Sequence, residues 1–231
     1  MHVKFGALMT DARGKIGGHV FSNSLGGAVL RTNSIKSHSF SQSQNNVKSR
    51  LAQISQLWST LTQNQVKQWN KRASMILKSN VFGDKKTFTG FAFFQECNNT
   101  LSLIGSALIS TPVYPVSFTA FPVPIMAATV GGVFTATWLL DPVLTGLKVL
   151  VYATAPTKIG RKIHDNDYYL IGVLPTIVAH VADLSALYLA KFTSLAALGQ
   201  QLGVKFVVCD AAGGQRPEGK GMAVTGFVIS T

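Results

Sequence analysis

The spacing of hydrophobic residues changes part-way along this chain of 231 residues, and this change constrains the fold more than any other feature. Between residues 47 and 76 the large apolar residues recur every three or four positions, which is the period of an amphipathic α-helix. After about residue 110 they fall in short runs bounded by Pro, Gly and Asp, a pattern typical of β-strands. The sequence therefore predicts an α+β protein, with most helices early and most strands late.

Three helices are expected before residue 106, each defined by an apolar stripe. Ser43 or Asn45 is placed to cap the first helix and Thr62 to cap the second, because their side chains accept hydrogen bonds from free backbone N–H groups. Gly105 is expected to end the third. The stripes are Val47, Leu51, Ile54, Trp58 and Leu61; Val66, Trp69, Ala73 and Ile76; and Phe91, Phe94, Cys97, Leu101 and Ile104.

A glycine-rich segment precedes the helices. Residues 18–22 and 28–32 are β-prone, and the stretch 23–27 between them is rich in turn formers. This pattern predicts a β-hairpin or a pair of extended arms. Residues 33–46 are expected to form a polar connector, and residues 80–87 a loop.

About seven short strands are expected in the last half of the chain. Frequent turns between short strands are typical of an immunoglobulin-like or fibronectin III-like antiparallel β-sandwich. We therefore expect two domains: a basic arm and helical docking region over residues 1–109, and a sandwich over residues 110–231. A short helix is expected within residues 183–200. The proline-rich stretch 111–124 is a linker or a first strand, and the other strands are expected at residues 133–140, 147–155, 168–174, 177–182, 202–209 and 222–229.

Positive charge is concentrated at one end of the chain. Residues 1–86 contain 13 Lys and Arg against only Asp11 and Asp84, a net +11, whereas the remainder contains 8 against 7 acidic residues. Such a field favours nucleic acid, an anionic membrane or a negatively charged protein shell, although a solvated face with no partner has the same composition. The cations that we expect to make contacts are Arg13, Lys15, Arg31, Lys36, Lys48, Arg50, Lys67, Lys71 and Arg72.

Two tryptophans lie on the helical stripes. The basic second helix admits a helix-turn-helix that contacts DNA, but Trp58 and Trp69 occupy the apolar faces. We therefore expect them to anchor a core or an interface rather than to contact bases.

The sequence contains little that predicts catalysis. The five histidines are scattered, no nucleophile or metal motif is present, and Cys97 and Cys209 are far apart. Asp165 and Asp167 could supply oxygen ligands to Ca²⁺, but the other positions of an EF-hand are missing, so an exposed turn is the preferred interpretation. We expect no enzymatic activity, no cofactor and no metal. No signal peptide and no membrane partner are expected, because no long uninterrupted apolar run is present.

The glycine-rich residues 14–31, the Gln/Asn-rich joint and the motif Leu61, Thr62, Gln65 and Trp69 resemble the opening of small phage and prophage structural proteins. Residues 91–105 and the sandwich are similar to later parts of such proteins. The resemblance implies a virion component present in many copies. Its partners would be other virion proteins, copies of itself and packaged nucleic acid, and it implies no catalytic residue.

Three functions therefore remain open at this point. The first is a virion structural protein of the head, neck or tail that docks through its basic N-terminal region. The second is a non-specific nucleic-acid-binding protein, whose affinity would fall with salt. The third is a carbohydrate- or cell-surface-binding module, in which Tyr168, Tyr169 and Tyr188 would stack on sugars.

Overall fold

The computed structural model describes residues 2–4, 11–24, 27–33, 41–79, 83–114, 121–128, 133–193, 199–216 and 222–228. The fold is α+β, as predicted. The chain divides into two compact units. The N-terminal unit comprises Met1–Asn99 and Ile109–Pro112, and the C-terminal unit comprises Thr100–Leu108 and Val113–Thr231.

The N-terminal unit begins with a four-stranded antiparallel sheet. Its strands are β1 (His2–Val3), β2 (Gly14–Ile16), β3 (His19–Ser24) and β4 (Gly27–Thr32), in the order β1-β4-β3-β2. The hairpin expected from residues 18–32 is β3 and β4, in which Ser24 pairs with Gly27. Gly17, at φ +57°, occupies the turn between β2 and β3, where a left-handed backbone favours glycine.

Two tandem helices follow: α1 (Gln42–Ser59) and α2 (Gln63–Ser74). Each begins with a reciprocal capping box, in which the cap residue and the third helical residue exchange side-chain-to-backbone hydrogen bonds. Thr62 caps α2, as predicted. The cap of α1 is Ser41, which bonds to Gln44, so the expectation of Ser43 or Asn45 was wrong. Ser41 is followed three residues later by Gln44, whose side chain accepts a hydrogen bond from the Ser41 N–H.

A short hairpin and most of a further helix complete this unit. The hairpin pairs β5 (Leu77–Ser79) with β6 (Lys85–Thr87), so the end of the expected loop at residues 80–87 is a strand. Helix α3 (Gly90–Leu103) is terminated by Gly105, as predicted: Gly105 has φ +69°, and the Ser106 N–H donates back to the Leu101 carbonyl.

The core of the N-terminal unit lies between the three helices. Trp69 is fully buried and meets the rings of Phe93 and Phe94 edge-on. Trp58 is half-buried against Phe94 and Phe91. The buried members of this core are Ile54, Trp69, Ala73, Phe93, Phe94 and Cys97.

The C-terminal unit contains two antiparallel sheets. The first has the order β12-β8-β7, from β7 (Ile125–Ala128), β8 (Phe134–Thr137) and β12 (Val181–Asp183). The second is built on β13 (Gln200–Asp210), which pairs with β9 (Leu147–Ala153) and with β14 (Met222–Val228), while β11 (Tyr169–Val173) pairs with β9. Strand β10 (Thr157–Lys158) and helix α4 (Ser185–Phe192) are the remaining elements.

Strand β10 prolongs β9 along the same edge of β13. Residues 204–207 of β13 pair with both β9 and β14, and Gln201 pairs with both β10 and β14. Because a strand has only two edges, β9 and β10 share one and β14 takes the other. The second sheet therefore has four main strands, in the order β11-β9-β13-β14.

One hydrophobic core is shared by the two sheets of this unit, an arrangement compatible with a β-sandwich. Alternate residues of β8, β9 and β13 point into it, and Tyr188 of α4 packs edge-on against Phe134. Its largest buried side chains are Trp138, Tyr188, Phe134, Phe206, Leu184 and Leu202.

Candidate docking surface

The sheet β1-β4-β3-β2 brings Lys15 and Arg31 together. Lys15 pairs with Val20, and Val20 pairs with Arg31, so the three residues form one row across the sheet. Directly paired residues point to the same face, so both cations lie on one surface with Val20 between them. Both are exposed. The sequence predicted these two cations, but only the register shows that they are neighbours.

The opposite face of this sheet carries the large apolar side chains Phe21, Leu30 and Ile16. Phe21 lies between Gly14 and Leu30 in one row of paired residues. Ile16 pairs with His19 two positions along the strands, and therefore on the same face. Ile16 is 69% exposed, while Phe21 and Leu30 are half-buried. None of the described side chains of β1 to β4 is buried. Sequence reasoning missed this face, because Val20 and Phe21 are consecutive apolar residues that point to opposite faces and give no period-two signal.

Helix α1 extends its apolar stripe beyond the core. Ile54 is completely buried, but Leu51, one turn earlier on the same stripe, is 39% exposed, and Val47, two turns earlier, is 44% exposed. Lys48 is exposed and Arg50 is half-buried beside this half of the helix. The second and third turns of α1 therefore present apolar and basic side chains together.

Helix α2 presents a basic stripe opposite its buried one. Lys67 and Lys71 are separated by one helical turn and are both exposed, whereas Trp69 and Ala73 face the core. Like charges four residues apart repel each other by a few tenths of a kcal/mol. Lys71 and Arg72 lie in the last turn of α2, where the helix dipole favours positive charge.

Carboxylates are scarce around these cations. Residues 12–83 contain no Asp or Glu. Arg13 pairs with Asp11 at 3.3 Å, and Lys4 pairs with Asp84 at 3.4 Å, both on the surface. Among the described residues, no carboxylate pairs with Lys15, Arg31, Lys67 or Lys71. Lys36, also predicted to make contacts, lies outside the described residues.

The two predicted anchors, Trp58 and Trp69, belong to the core of the N-terminal unit. The Trp69 indole N–H donates to the Ser110 carbonyl at 2.8 Å, which satisfies its one polar group. A second link is made by Asn98, whose side chain accepts a hydrogen bond from the Ile109 N–H at 2.8 Å. Both bonds fix residues 109 and 110 against the helices.

The polar groups of the C-terminal unit are engaged in its own structure. Asp165 and Asp167 lie in a short 3₁₀ turn, where Asp165 pairs with Lys205 at 3.3 Å and Asp167 accepts from the His164 N–H. Burial, together with Asp165 and Asp167, raises the pKa of Tyr168 above its usual value. In the described parts of the chain, no three side chains of His, Cys, Asp or Glu come together as metal ligands.

Both cysteines are buried, and neither forms a disulfide. Burial is the main reason that the pKa of Cys209 is raised to about 11, with smaller and opposing effects from Arg216, Asp210 and Lys148. A raised pKa disfavours the thiolate, which is the reactive form. Within the described ranges, no helix is both long and apolar enough to span a bilayer.

No protein-family model and no curated protein matches the chain. The resemblance to phage structural proteins therefore stays a prediction from the motifs at residues 14–31 and 61–69.

Proposed function

We propose that the chain is a non-enzymatic structural protein that docks onto an acidic neighbour through its N-terminal unit. The observation that carries this proposal is the sheet of β1 to β4. It presents the exposed cations Lys15 and Arg31 on one face and apolar side chains, including Ile16, on the other. A partner that covers such a sheet would supply the burial that its described side chains do not have.

Charge supports an acidic partner. The N-terminal unit contains 13 Lys and Arg against three acidic residues, Asp11, Asp84 and Glu96. Lys67 and Lys71 repel each other along α2, and an anionic surface would relieve that repulsion. Opposite charge on the partner would also accelerate the encounter and fix its orientation.

We also propose that the C-terminal unit is a fibronectin III-like sandwich, which belongs to the immunoglobulin-like group. Counting β9 and β10 as one strand, the unit has seven described strands. The first, second and fifth form one sheet, and the fourth, third, sixth and seventh form the other. Two sheets of three and four strands with this crossing order are the pattern expected for that fold.

The setting that we propose is a phage virion, in the head, neck or tail, with many copies per particle. The motif resemblance and the basic, partly apolar N-terminal unit support it. The test is quantitative mass spectrometry of particles purified on a density gradient from cells that carry the gene. We expect the chain in the particle fraction in a fixed ratio to the major shell protein. Its absence from washed particles would exclude this setting.

Non-specific binding to nucleic acid is the second candidate, favoured by the Lys67 and Lys71 stripe on α2. It predicts that the full chain binds a random DNA duplex with an affinity that falls steeply as salt rises, because neutralised phosphates release counterions. Fluorescence anisotropy at several salt concentrations measures this. Equal affinity for the duplex and for poly-glutamate would instead favour an acidic protein partner.

The carbohydrate-binding alternative has less support. Tyr188 is fully buried, and Tyr168 is half-buried over Gly203. Of the three tyrosines, Tyr169 alone is exposed, at 51%. One exposed ring is a small platform for stacking a sugar.

A further inference from the structure

One end of the sheet β12-β8-β7 carries an unusual concentration of exposed aliphatic side chains. Thr137, the last residue of β8, is flanked by Ile125 of β7 on one side and Val181 of β12 on the other. After Thr137 the chain continues into the loop of residues 138–146. It enters β12 from the turn that begins at Val178. We call the exposed aliphatic residues at this end the apolar tip: Val123, Ile125, Leu139, Leu140, Val143 and Val178.

The members of the apolar tip are far more exposed than such side chains usually are. Leu139 is 90% exposed, Leu140 74%, Ile125 72%, Val178 70%, Val143 69% and Val123 64%. Six such side chains present an apolar area on the order of several hundred Å², as large as the largest patch on a typical monomer. It also approaches the roughly 800 Å² that each partner contributes to a standard interface.

Hydrogen bonds and packing fix the loop and the turn in this position. Leu144 packs into the core, and the Ala211 N–H donates to the Gly146 carbonyl at 3.0 Å, so both hold the base of the loop. The Trp138 indole donates to the Pro122 carbonyl at 3.2 Å, which ties Val123 to the same end. The apolar side chains are therefore displayed on a supported loop.

The turn beside the loop is held in an unfavourable backbone conformation. Ala179 and His180 have φ of +49° and +67°, a left-handed region that residues with a Cβ rarely adopt. His180 is secured by its Nδ1 atom, 3.0 Å from the Asp141 carboxylate, and its carbonyl accepts from the Trp138 N–H at 2.8 Å. Strained residues of this kind persist where their surroundings hold them, and they cluster at binding sites.

We propose that the apolar tip is a self-association surface, on which the tip of a second copy of this chain docks. Charge favours this occupant. The ionisable side chains on the segments that form the tip are Asp141 and His180, whose Nδ1 atom lies 3.0 Å from the carboxylate, so Asp141 keeps its hydrogen-bond partner when two tips are apposed. The C-terminal unit contains eight Lys and Arg against six acidic residues, so two such units repel each other weakly.

A symmetric contact between identical tips fits the commonest form of oligomer, in which the same patch serves both subunits. Apolar side chains at the centre and a polar pair at the margin match the usual anatomy of such an interface. This inference deepens the proposed multi-copy role but does not depend on the basic docking surface of the N-terminal unit.

Sedimentation velocity of the full chain alone, across micromolar concentrations at physiological salt, tests the proposal. We expect the wild-type protein to dimerise reversibly. The double variant Leu139→Ser with Leu140→Ser should weaken dimerisation by about tenfold or more, because it removes the two most exposed apolar side chains of the tip and the burial that they would gain on association. The matched control, Ile159→Ser with Leu189→Ser, removes two exposed aliphatic residues of the same unit outside the tip and should leave dimerisation unchanged.

Oxidative cross-linking gives a second readout. Leu140→Cys should form a disulfide-linked dimer, whereas Ile159→Cys should not; the native cysteines are buried and do not interfere. A wild-type chain that stays monomeric throughout, or a tip variant that dimerises like the wild type, would overturn the proposal. A protein that stays monomeric, and whose tip binds neutral lipid vesicles in a flotation assay, would overturn the proposal in favour of lipid docking. Each of these outcomes leaves particle incorporation through the N-terminal unit as a separate question.

Discussion

Single side chains inside the C-terminal unit illustrate how its buried polar atoms are satisfied. The Tyr188 hydroxyl donates to the Thr154 carbonyl at 3.1 Å, and the Thr154 hydroxyl accepts from the Gly203 N–H at 2.9 Å. A Cβ at Gly203 would lie 2.7 Å from the Tyr168 hydroxyl, so any larger residue there would displace the Tyr168 side chain. The sequence offered Tyr188 only as a ring that would stack on sugars, because these partners, 34 and 49 residues apart along the chain, could not be read from it.

Tyr188 should make stability depend on alkaline pH. Burial raises its pKa well above the ordinary value of 10.0. The unfolded chain therefore releases this proton at a lower pH than the folded protein does. The stabilising contribution is complete below pH 10 and is lost progressively as the pH rises above it. Tyr188→Phe should cost about 1 kcal/mol near neutral pH, since it removes one hydrogen bond.

Urea unfolding at pH 8 and above pH 10 measures this effect. The disadvantage of Tyr188→Phe relative to wild type should shrink as the pH rises. Tyr169→Phe, at a half-exposed tyrosine, is the matched control and should follow the wild type. A gap between Tyr188→Phe and wild type that stays constant with pH would contradict the account.

Cys209 should be chemically silent in the folded protein. With a pKa of about 11, roughly one thiol in a thousand is ionised at pH 8, and burial shields it as well. We expect no rapid reaction of the native chain with a thiol reagent, and two reactive thiols after denaturation, because Cys97 is also buried and forms no disulfide. Fast labelling of a native thiol would show that one of these cores opens.

At the scale of the elements, helices were more predictable than short strands. The stripes at residues 47–61 and 66–76 placed α1 and α2 because each repeats an apolar residue on one face. Strand β6 is Lys85, Lys86 and Thr87, and all three are exposed, so it has no apolar alternation to reveal it. Only its backbone pairing with β5 identifies this segment as a strand.

Gly90, the first residue of α3, lies against Asn70 of α2. Its substitution distinguishes the effect of packing on stability from the effect of helix propensity. The Asn70 side chain accepts the Gly90 N–H at 3.2 Å at the start of α3. A Cβ at residue 90 would lie 2.8 Å from the Asn70 backbone nitrogen and closer still to its side-chain oxygen. Propensity alone predicts that alanine stabilises a helix by up to about 1 kcal/mol over glycine. The contact predicts the opposite sign, a loss of about 1–3 kcal/mol.

Denaturant unfolding of Gly90→Ala decides between the two effects. Gly18→Ala is the control, because a Cβ at residue 18 meets nothing within 4 Å. We expect the control to change stability little. A Gly90→Ala chain as stable as wild type would mean that α2 and α3 are not held as closely as the structure places them.

At the scale of the whole molecule, composition predicted the separation of charge, and the fold shows which cations share a surface. The basic residues were recognisable from the sequence because only two acidic residues lie among the first 86. Their grouping depends on strand register, which sets Lys15 beside Arg31, and on helix phase, which sets Lys67 above Lys71. The apolar tip left no periodic signal, because it combines a strand start, a loop and a turn distant in sequence.

Docking through the cations of the N-terminal unit is tested most directly by the incorporation of charge variants into particles. The variant carries Lys15→Gln, Arg31→Gln, Lys67→Gln and Lys71→Gln. The control carries Lys158→Gln, Arg161→Gln, Lys162→Gln and Lys191→Gln, the same loss of charge from exposed residues of the C-terminal unit. We predict that quantitative mass spectrometry finds the control in purified particles at the wild-type ratio and the variant strongly depleted. Equal incorporation of the two would contradict the account.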